Sequence, residues 1–294
     1  MERRTFLTSA LTSVAVPLVA GTARSLLAQT PATPPRTRIK QSVMASVWTG
    51  STTSFEERCK ILARIGFKGV DLPTAQQVPI LTQNGLAPAM MTGTGTSFQQ
   101  GLIRKELHDK IVDATHAGID TCASVGCSVL IAIPGERHGM SREEGADNAV
   151  AVLSRIKGYA EQKNVNVCME ITNSKVAADQ RTDQVFDHVA WGLDVCKRVN
   201  SPRVKILYDI YHAQIMDGDI IRTLRDNIDH ICHFHAAGVP SREEIDEKQE
   251  LNFRAIANAI ADTGYSGFIA HEWRPAKGND PVKSLEKCFE IMNV

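Results

Sequence analysis

At 294 residues and 43% hydrophobic, with 33 basic and 33 acidic side chains, the chain has ample apolar content for one large domain or two small ones. A formal net charge of zero removes the basic footprint expected of a protein whose main activity is binding nucleic acid or an anionic membrane surface. Charged runs are short, and no low-complexity segment follows the amino terminus.

The first residues read as an export address. Arg3-Arg4-Thr5-Phe6-Leu7 has the paired arginines and following apolar residues of a twin-arginine signal. The mildly apolar stretch 7–20 is too short and too rich in Ser, Thr and Ala for a membrane span. Domain limits follow: a signal peptide at 1–28 cleaved after Ala28, a Pro-rich linker at 29–37, and one folded domain at 38–294. The expectation is a periplasmic protein with no stable membrane insertion after cleavage. Removing 1–28 takes away three Arg and one Glu, leaving the mature chain slightly acidic. Twin-arginine export carries folded proteins, so seven cysteines need not mean disulfides. Cys59, Cys122, Cys127, Cys168, Cys196, Cys232 and Cys288 lie mostly in apolar patterns and are expected as buried free thiols.

From residue 38 onward strand-like and helix-like segments alternate. Strands are expected at 39–47, 67–72, 86–91, 128–133, 166–171, 204–209, 230–236 and 268–272. Helices are expected at 54–65, 103–125, 141–163, 182–199, 219–227, 252–263 and 281–292, with a short irregular or helical piece ending at Asn84. Ser141 with Glu144 forms a capping-box start, and Pro281 suits a first helical turn. Eight strand–helix units in this length predict a single (β/α)8 TIM barrel, an α/β fold. A doubly wound sheet would offer a Gly-rich phosphate turn after its first strand, which Val47-Trp48-Thr49-Gly50-Ser51 is not.

Four successive strands end on residues that are costly to bury unpaired: Glu170, Asp209, His235 and Glu272. Residues two apart share a strand face, so Cys168, Leu207, His233 and Ala270 point inward one layer below them. Taken singly, Asp209 could be a helix cap and Glu272 an ion-pair partner of Arg274. Taken together, two glutamates, an aspartate and an imidazole form a mixed oxygen and nitrogen set. It suits one divalent ion, Mn²⁺, Mg²⁺ or Co²⁺, with Zn²⁺ also admitted. His212 and Arg242 are candidates to hold substrate, and His233 to support a ligand from behind. Trp48 and Trp273, at strand ends, could pack against a sugar face. Glu250 stands before Asn252-Phe253 with no assigned role.

The runs YDIYHAQIMDGD, HFHAAGVPSRE, ELNF and GYSGFIAHEWRP resemble the hydroxypyruvate isomerase group of the xylose isomerase-like TIM-barrel superfamily, which also holds the ketose 3-epimerases. The likeness is densest from Cys168 to Pro275. It implies that Glu170, Asp209, His235 and Glu272 bind one divalent cation and that Glu170 and Glu272 also move protons. The third ligand position resembles Gln in the isomerases and His in the epimerases. The isomerase Pro-Gly-Arg-His-Glu loop reads Pro240-Ser241-Arg242-Glu243-Glu244 here.

Isomerisation and epimerisation both begin by removing a proton beside a carbonyl, which a chelating cation and flanking carboxylates can assist. The expected activity is therefore that of a sugar or hydroxy-keto-acid isomerase, with ketose 3-epimerase or a 3-keto-glycoside lyase as alternatives. A periplasmic sugar-binding protein is the non-enzyme alternative. Expected partners are a small sugar or hydroxy-keto acid and no nucleic acid, with a homo-oligomer admitted. The related three-zinc abasic-site endonucleases need histidines after strands two and three, where this chain has Asp71-Leu72-Pro73 and Met91-Thr92-Gly93.

Overall fold

The computed structural model describes residues 38–176 and 183–294. The expected signal peptide and linker, and Thr182 at the start of one expected helix, lie outside the described residues. Eight strands form one parallel sheet: β1 (Lys40–Val43), β2 (Gly69–Asp71), β3 (Ala87–Met90), β4 (Val129–Ala132), β5 (Asn166–Glu170), β6 (Val204–Asp209), β7 (Ile231–Ala236) and β8 (Phe268–His271). Their order is β3-β2-β1-β8-β7-β6-β5-β4. A parallel bridge between Met91 and Leu130 joins the two outer strands and closes the barrel.

Around the sheet lie α1 (Phe55–Ile65), α2 (Val78–Gln83), α3 (His108–Val125), α4 (Arg142–Lys163), α5 (Val189–Val199), α6 (Ile210–Met216), α7 (Ile220–Asp226), α8 (Phe253–Asp262) and α9 (Pro281–Met292). Their starts follow local chemistry. Ser54, Ser141, Asn252 and Asp280 each accept a hydrogen bond from an otherwise unpaired backbone N–H of the first turn. At Ser141 this bond comes from Glu144 N, which is one half of the expected capping box.

The alternation of side chains divides the core in two. Outward positions such as Leu130, Ala132, Val167, Met169, Ile206 and Tyr208 pack under the helices. Inward positions Met90, Val129, Ile131, Ile133, Cys168, Leu207 and Cys232 fill the barrel. Cys232 joins them through a register shift. Ile206 pairs with Ile231 but Leu207 pairs with His233, so the extra residue on β7 turns inward. There Cys232 is disulfide-bonded to Cys168, which corrects the expectation of free thiols for this pair. The other five cysteines are free and buried.

Several expected boundaries shift. The first strand stops at Val43, and Ala45–Trp48 forms a 3-10 turn instead, because Trp48 folds back over Arg58 rather than extending β1. The expected 103–125 helix begins as a 3-10 turn at Lys105 and becomes α-helical only from His108. The described part of the expected 182–199 helix is helical only from Val189. No described helix is long and apolar enough to cross a membrane.

Candidate metal centre

Register brings the four expected ligands together. Glu170 ends β5, and Asp209 ends β6 directly beside His235 of β7. Glu272 follows β8, held there by its N–H donating to Ala236 O at 2.9 Å. One ligand atom from each of the four lies within 4.8 Å of all the others. His235 Nδ1 is 2.8 Å from Glu272 Oε2 and 3.5 Å from Glu170 Oε1.

Asp209 splits its carboxylate. Oδ1 accepts from Tyr211 N at 2.8 Å and caps α6, a helix absent from the sequence reading. Oδ2 turns toward the cluster, 3.4 Å from His212 Nε2 and 3.8 Å from Arg242. Arg242 lies 2.9 Å from Glu272 Oε1, so the ion pair imagined between Glu272 and Arg274 is made with Arg242 instead. The physical reason is the loop after β7, which carries Arg242 back over the barrel mouth and stacks it on the Tyr211 ring.

His212 is fully buried, and Asn173 Nδ2 lies 2.7 Å from its Nδ1. It thus backs Asp209. His233 is one layer down, as expected, with Nε2 2.6 Å from Asp71 Oδ2. Asp71 was missed as a site residue. It ends β2, accepts from Ser42 Oγ at 2.5 Å, and lies 3.4 Å from His235 Nε2. Its only signal in the sequence was its place at the end of a strand. Trp273 is 0% exposed and donates to His271 Nδ1, so it is a core residue and offers no face to a sugar. Glu250 meets Gln214 on the outside.

The electrostatics are those of crowded anions. Burial first, then the charge of Glu272, pushes Asp209 up to about 8. Burial works against ionised Glu272 too, but Arg242 and then His235 hold it well below the usual carboxylate range. Burial opposes the charged form of His235, yet Glu272 and Asp71 raise it well above its ordinary value. Asp71 likewise overcomes its burial through His233 and then His235, and lies far below the ordinary range.

A divalent cation fits this donor set. His235 Nδ1, His235 Nε2 and Glu272 Oε2 are buried without a hydrogen-bond partner of good geometry, although Nδ1 and Oε2 are only 2.8 Å apart. Lone pairs that converge on one region rather than on each other are what a shared cation would satisfy. A cavity of about 110 Å³ lies between the ends of β1 and β2 and α1, walled by Met44, Trp48, Asp71 and Leu72, and none of the four expected ligands lines it. A larger one, of about 560 Å³, opens among Lys40, Arg203 and Lys205, and none of the four expected ligands lines it.

Fold and site together define a TIM barrel with a carboxylate–histidine centre at the carboxyl ends of its strands, where barrel enzymes keep their chemistry. Residues 59–290 match the family model described as xylose isomerase-like TIM barrel, and the chain belongs to that family. A Danio rerio protein named as a hydroxypyruvate isomerase is 28% identical over 81% of this chain and 91% of its own length. A Pectobacterium atrosepticum protein named 2-oxo-tetronate isomerase is 25% identical over 80% of this chain and 93% of its own. Among solved structures, an AP endonuclease of family 2 from Brucella melitensis superposes with a TM-score of 0.73 at 23% identity, covering 87% of this chain and 100% of its own. D-Psicose 3-epimerase from Clostridium cellulolyticum H10 gives 0.72 at 15%, covering 86% and 98%. At those identities the structural likeness shows the fold alone. The sequence relatives carry isomerase names, and the chain is an enzyme of that class.

Proposed function

We propose that this enzyme is a divalent-cation-dependent isomerase of a small hydroxy-carbonyl compound, with Glu170, Asp209, His235 and Glu272 as the ligands of one cation. The observation that carries the reading is that one ligand atom from each of those four side chains lies within 4.8 Å of the others, at the carboxyl ends of four consecutive strands. When bound, the cation would supply Lewis acidity toward the substrate's oxygens. The protein supplies the rest. Glu170 and Glu272 enter the same space from β5 and the end of β8 and act as base and acid, one removing the C–H proton beside the carbonyl and the other delivering a proton to the neighbouring carbon, while the hydroxyl proton passes to the former carbonyl oxygen. Arg242 keeps Glu272 ionised and offers a planar donor fork for a carboxylate or hydroxyl of the substrate. His212 holds Asp209 in place from behind.

The names of the relatives support a short 2-oxo acid bearing a hydroxyl group as substrate. Epimerisation of a ketose is the second reading, favoured by His235 at the position where the isomerases resemble Gln. Paired Arg3 and Arg4 support export, and the proposal places the enzyme in the periplasm.

The test is a substrate screen in D₂O with hydroxypyruvate, ketohexoses and 3-keto-glycosides. Deuterium should enter the carbon beside the carbonyl, stop on EDTA treatment, and resume with Mn²⁺ or Co²⁺. Glu170→Gln and Glu272→Gln should each slow exchange by about 10²–10⁴-fold. Turnover that survives thorough chelation would refute the mechanism, and affinity without exchange would mark a binding protein.

A further inference from the structure

We propose that Asp71 is a positioning residue for the centre: from the end of β2 it holds the His235 ring with its proton on Nε2, so that Nδ1 is the nitrogen presented to the cation. This rests on the cation reading above and adds the residue that decides which atom of the third ligand is used.

The geometry is a buried chain across three strands. Ser42 of β1 donates to Asp71 Oδ1 at 2.5 Å, and His233 Nε2 sits 2.6 Å from Oδ2. These two contacts fix the carboxylate from both sides. The same Oδ2 lies 3.4 Å from His235 Nε2. That distance is long for a hydrogen bond. Yet Asp71 is 2% exposed and His235 0%, so a full negative charge at this range acts through little water. It favours an N–H at Nε2. The opposite nitrogen faces Glu170 Oε1 at 3.5 Å and Glu272 Oε2 at 2.8 Å, on the side where the ligand atoms gather. A histidine ligand works only when the nitrogen turned to the ion carries a lone pair, and a carboxylate on the far nitrogen is what secures that state.

The same atoms admit a competing arrangement. Asp71, His233 and His235 could themselves surround an ion, since one atom from each lies within 4.8 Å of the others. That arrangement would use His235 Nε2. The direct bond between Asp71 and His233 argues against it, because it occupies the donor atoms such an ion would need.

The experiment uses the full-length protein with Mg²⁺ or Zn²⁺ alone. Histidine ¹⁵N spectra of the wild type, with His235→Asn to assign the ring, should show Nε2 protonated and Nδ1 bound in the loaded state. Asp71→Asn should mix the two tautomers of His235 and weaken cation binding by about 10–100-fold in titration calorimetry. Loss of packing alone would lower the melting temperature without moving the tautomer. A wild-type ring bound through Nε2 overturns the inference, as does an Asp71→Asn protein with unchanged affinity and tautomer. If Asp71→Asn does not fold, the wild-type spectra decide. If the wild type shows no saturable binding of either ion, the cation reading itself fails, and this inference with it.

Discussion

His271 sits beside Glu272 in sequence but points the other way, under the helices, where its Nε2 donates to Gln41 Oε1 at 2.8 Å and its Nδ1 accepts from Trp273 Nε1 at 3.0 Å. The neutral ring satisfies both neighbours. A second proton would set two donors against each other at Nδ1. Burial accordingly pushes the group down to about 3. The unfolded chain keeps a value of about 6.5. The ring's contribution is therefore fully present above about 6.5 and lost as pH falls from there to about 3. Urea unfolding at pH 7.5 and pH 4.5 should show His271→Gln less stable at both but with a flatter pH dependence. The difference should approach about 1.4 kcal/mol per pH unit inside that window. Equal slopes would sink the argument. His271 also shows what a sequence conceals. Its polar partners, Gln41 and Trp273, stand 230 and 2 residues away, and only parity hinted that it faced outward. Asp71 was hidden for the same reason, since its bond to His233 spans 162 residues.

The loop between β7 and α8 is the element that carries Arg242 to the centre, and backbone bonds within it set its shape. Gly238 N donates to Glu243 O at 2.8 Å, Arg242 N to Gly238 O at 2.8 Å, and Glu250 N to Val239 O at 3.0 Å. Arg242 itself adopts a positive φ of 57°. Buried Glu244 anchors the far side by accepting from Ala276 N, Asn279 Nδ2 and Ser284 Oγ. A Cβ on Gly238 would lie 2.5 Å from Glu244 O, a backbone atom that cannot step aside. Gly238→Ala should cost roughly 1–3 kcal/mol of stability and both raise KM and lower kcat, because displacing Arg242 removes a donor fork for the substrate and the charge that keeps Glu272 ionised. Unchanged kinetics would remove Arg242 from substrate binding. Elements differed in how plainly the sequence showed them. β6 and α9 have their expected ends, 204–209 and 281–292, because a β-branched run and a Pro-started amphipathic stretch each stop at a clear polar boundary. α6 was overlooked because Asp209 serves at once as strand end, ligand and helix cap, and the first role masked the last. The four ligands were legible because strand parity requires no knowledge of distant partners. The shape of this loop depends on contacts with residues 274–284, and so it was not.

Across the whole barrel the ligands are unevenly placed. All four come from β5, β6, β7 and β8, while β3 and β4 meet on the other side through the isolated Met91–Leu130 bridge. Without a cation, three carboxylates crowd the first group of strands, offset chiefly by His235 and Arg242. A bound divalent ion would replace that repulsion with a link among four strands, and its free energy of binding adds to the stability of the fold. At one hundred times Kd the gain is about 2.7 kcal/mol, which for a domain of this size means a rise in Tm of roughly 5–10 °C. The sign of its pH dependence follows from Asp209. With its folded value raised to about 8, the proton it holds stabilises the metal-free protein fully below the ordinary aspartate value and is lost as pH rises through about 8. A cation must displace that proton at lower pH and need not at higher pH. Melts with Mn²⁺ against EDTA should therefore diverge little at pH 6 and most at pH 8.5, and the Glu170→Gln, Glu272→Gln double variant should show almost no divergence at either. A divergence equal at both pH values would mean that the ion displaces no proton from Asp209 or His235 and is not held by them, and one retained in the double variant would place the ion elsewhere in the barrel.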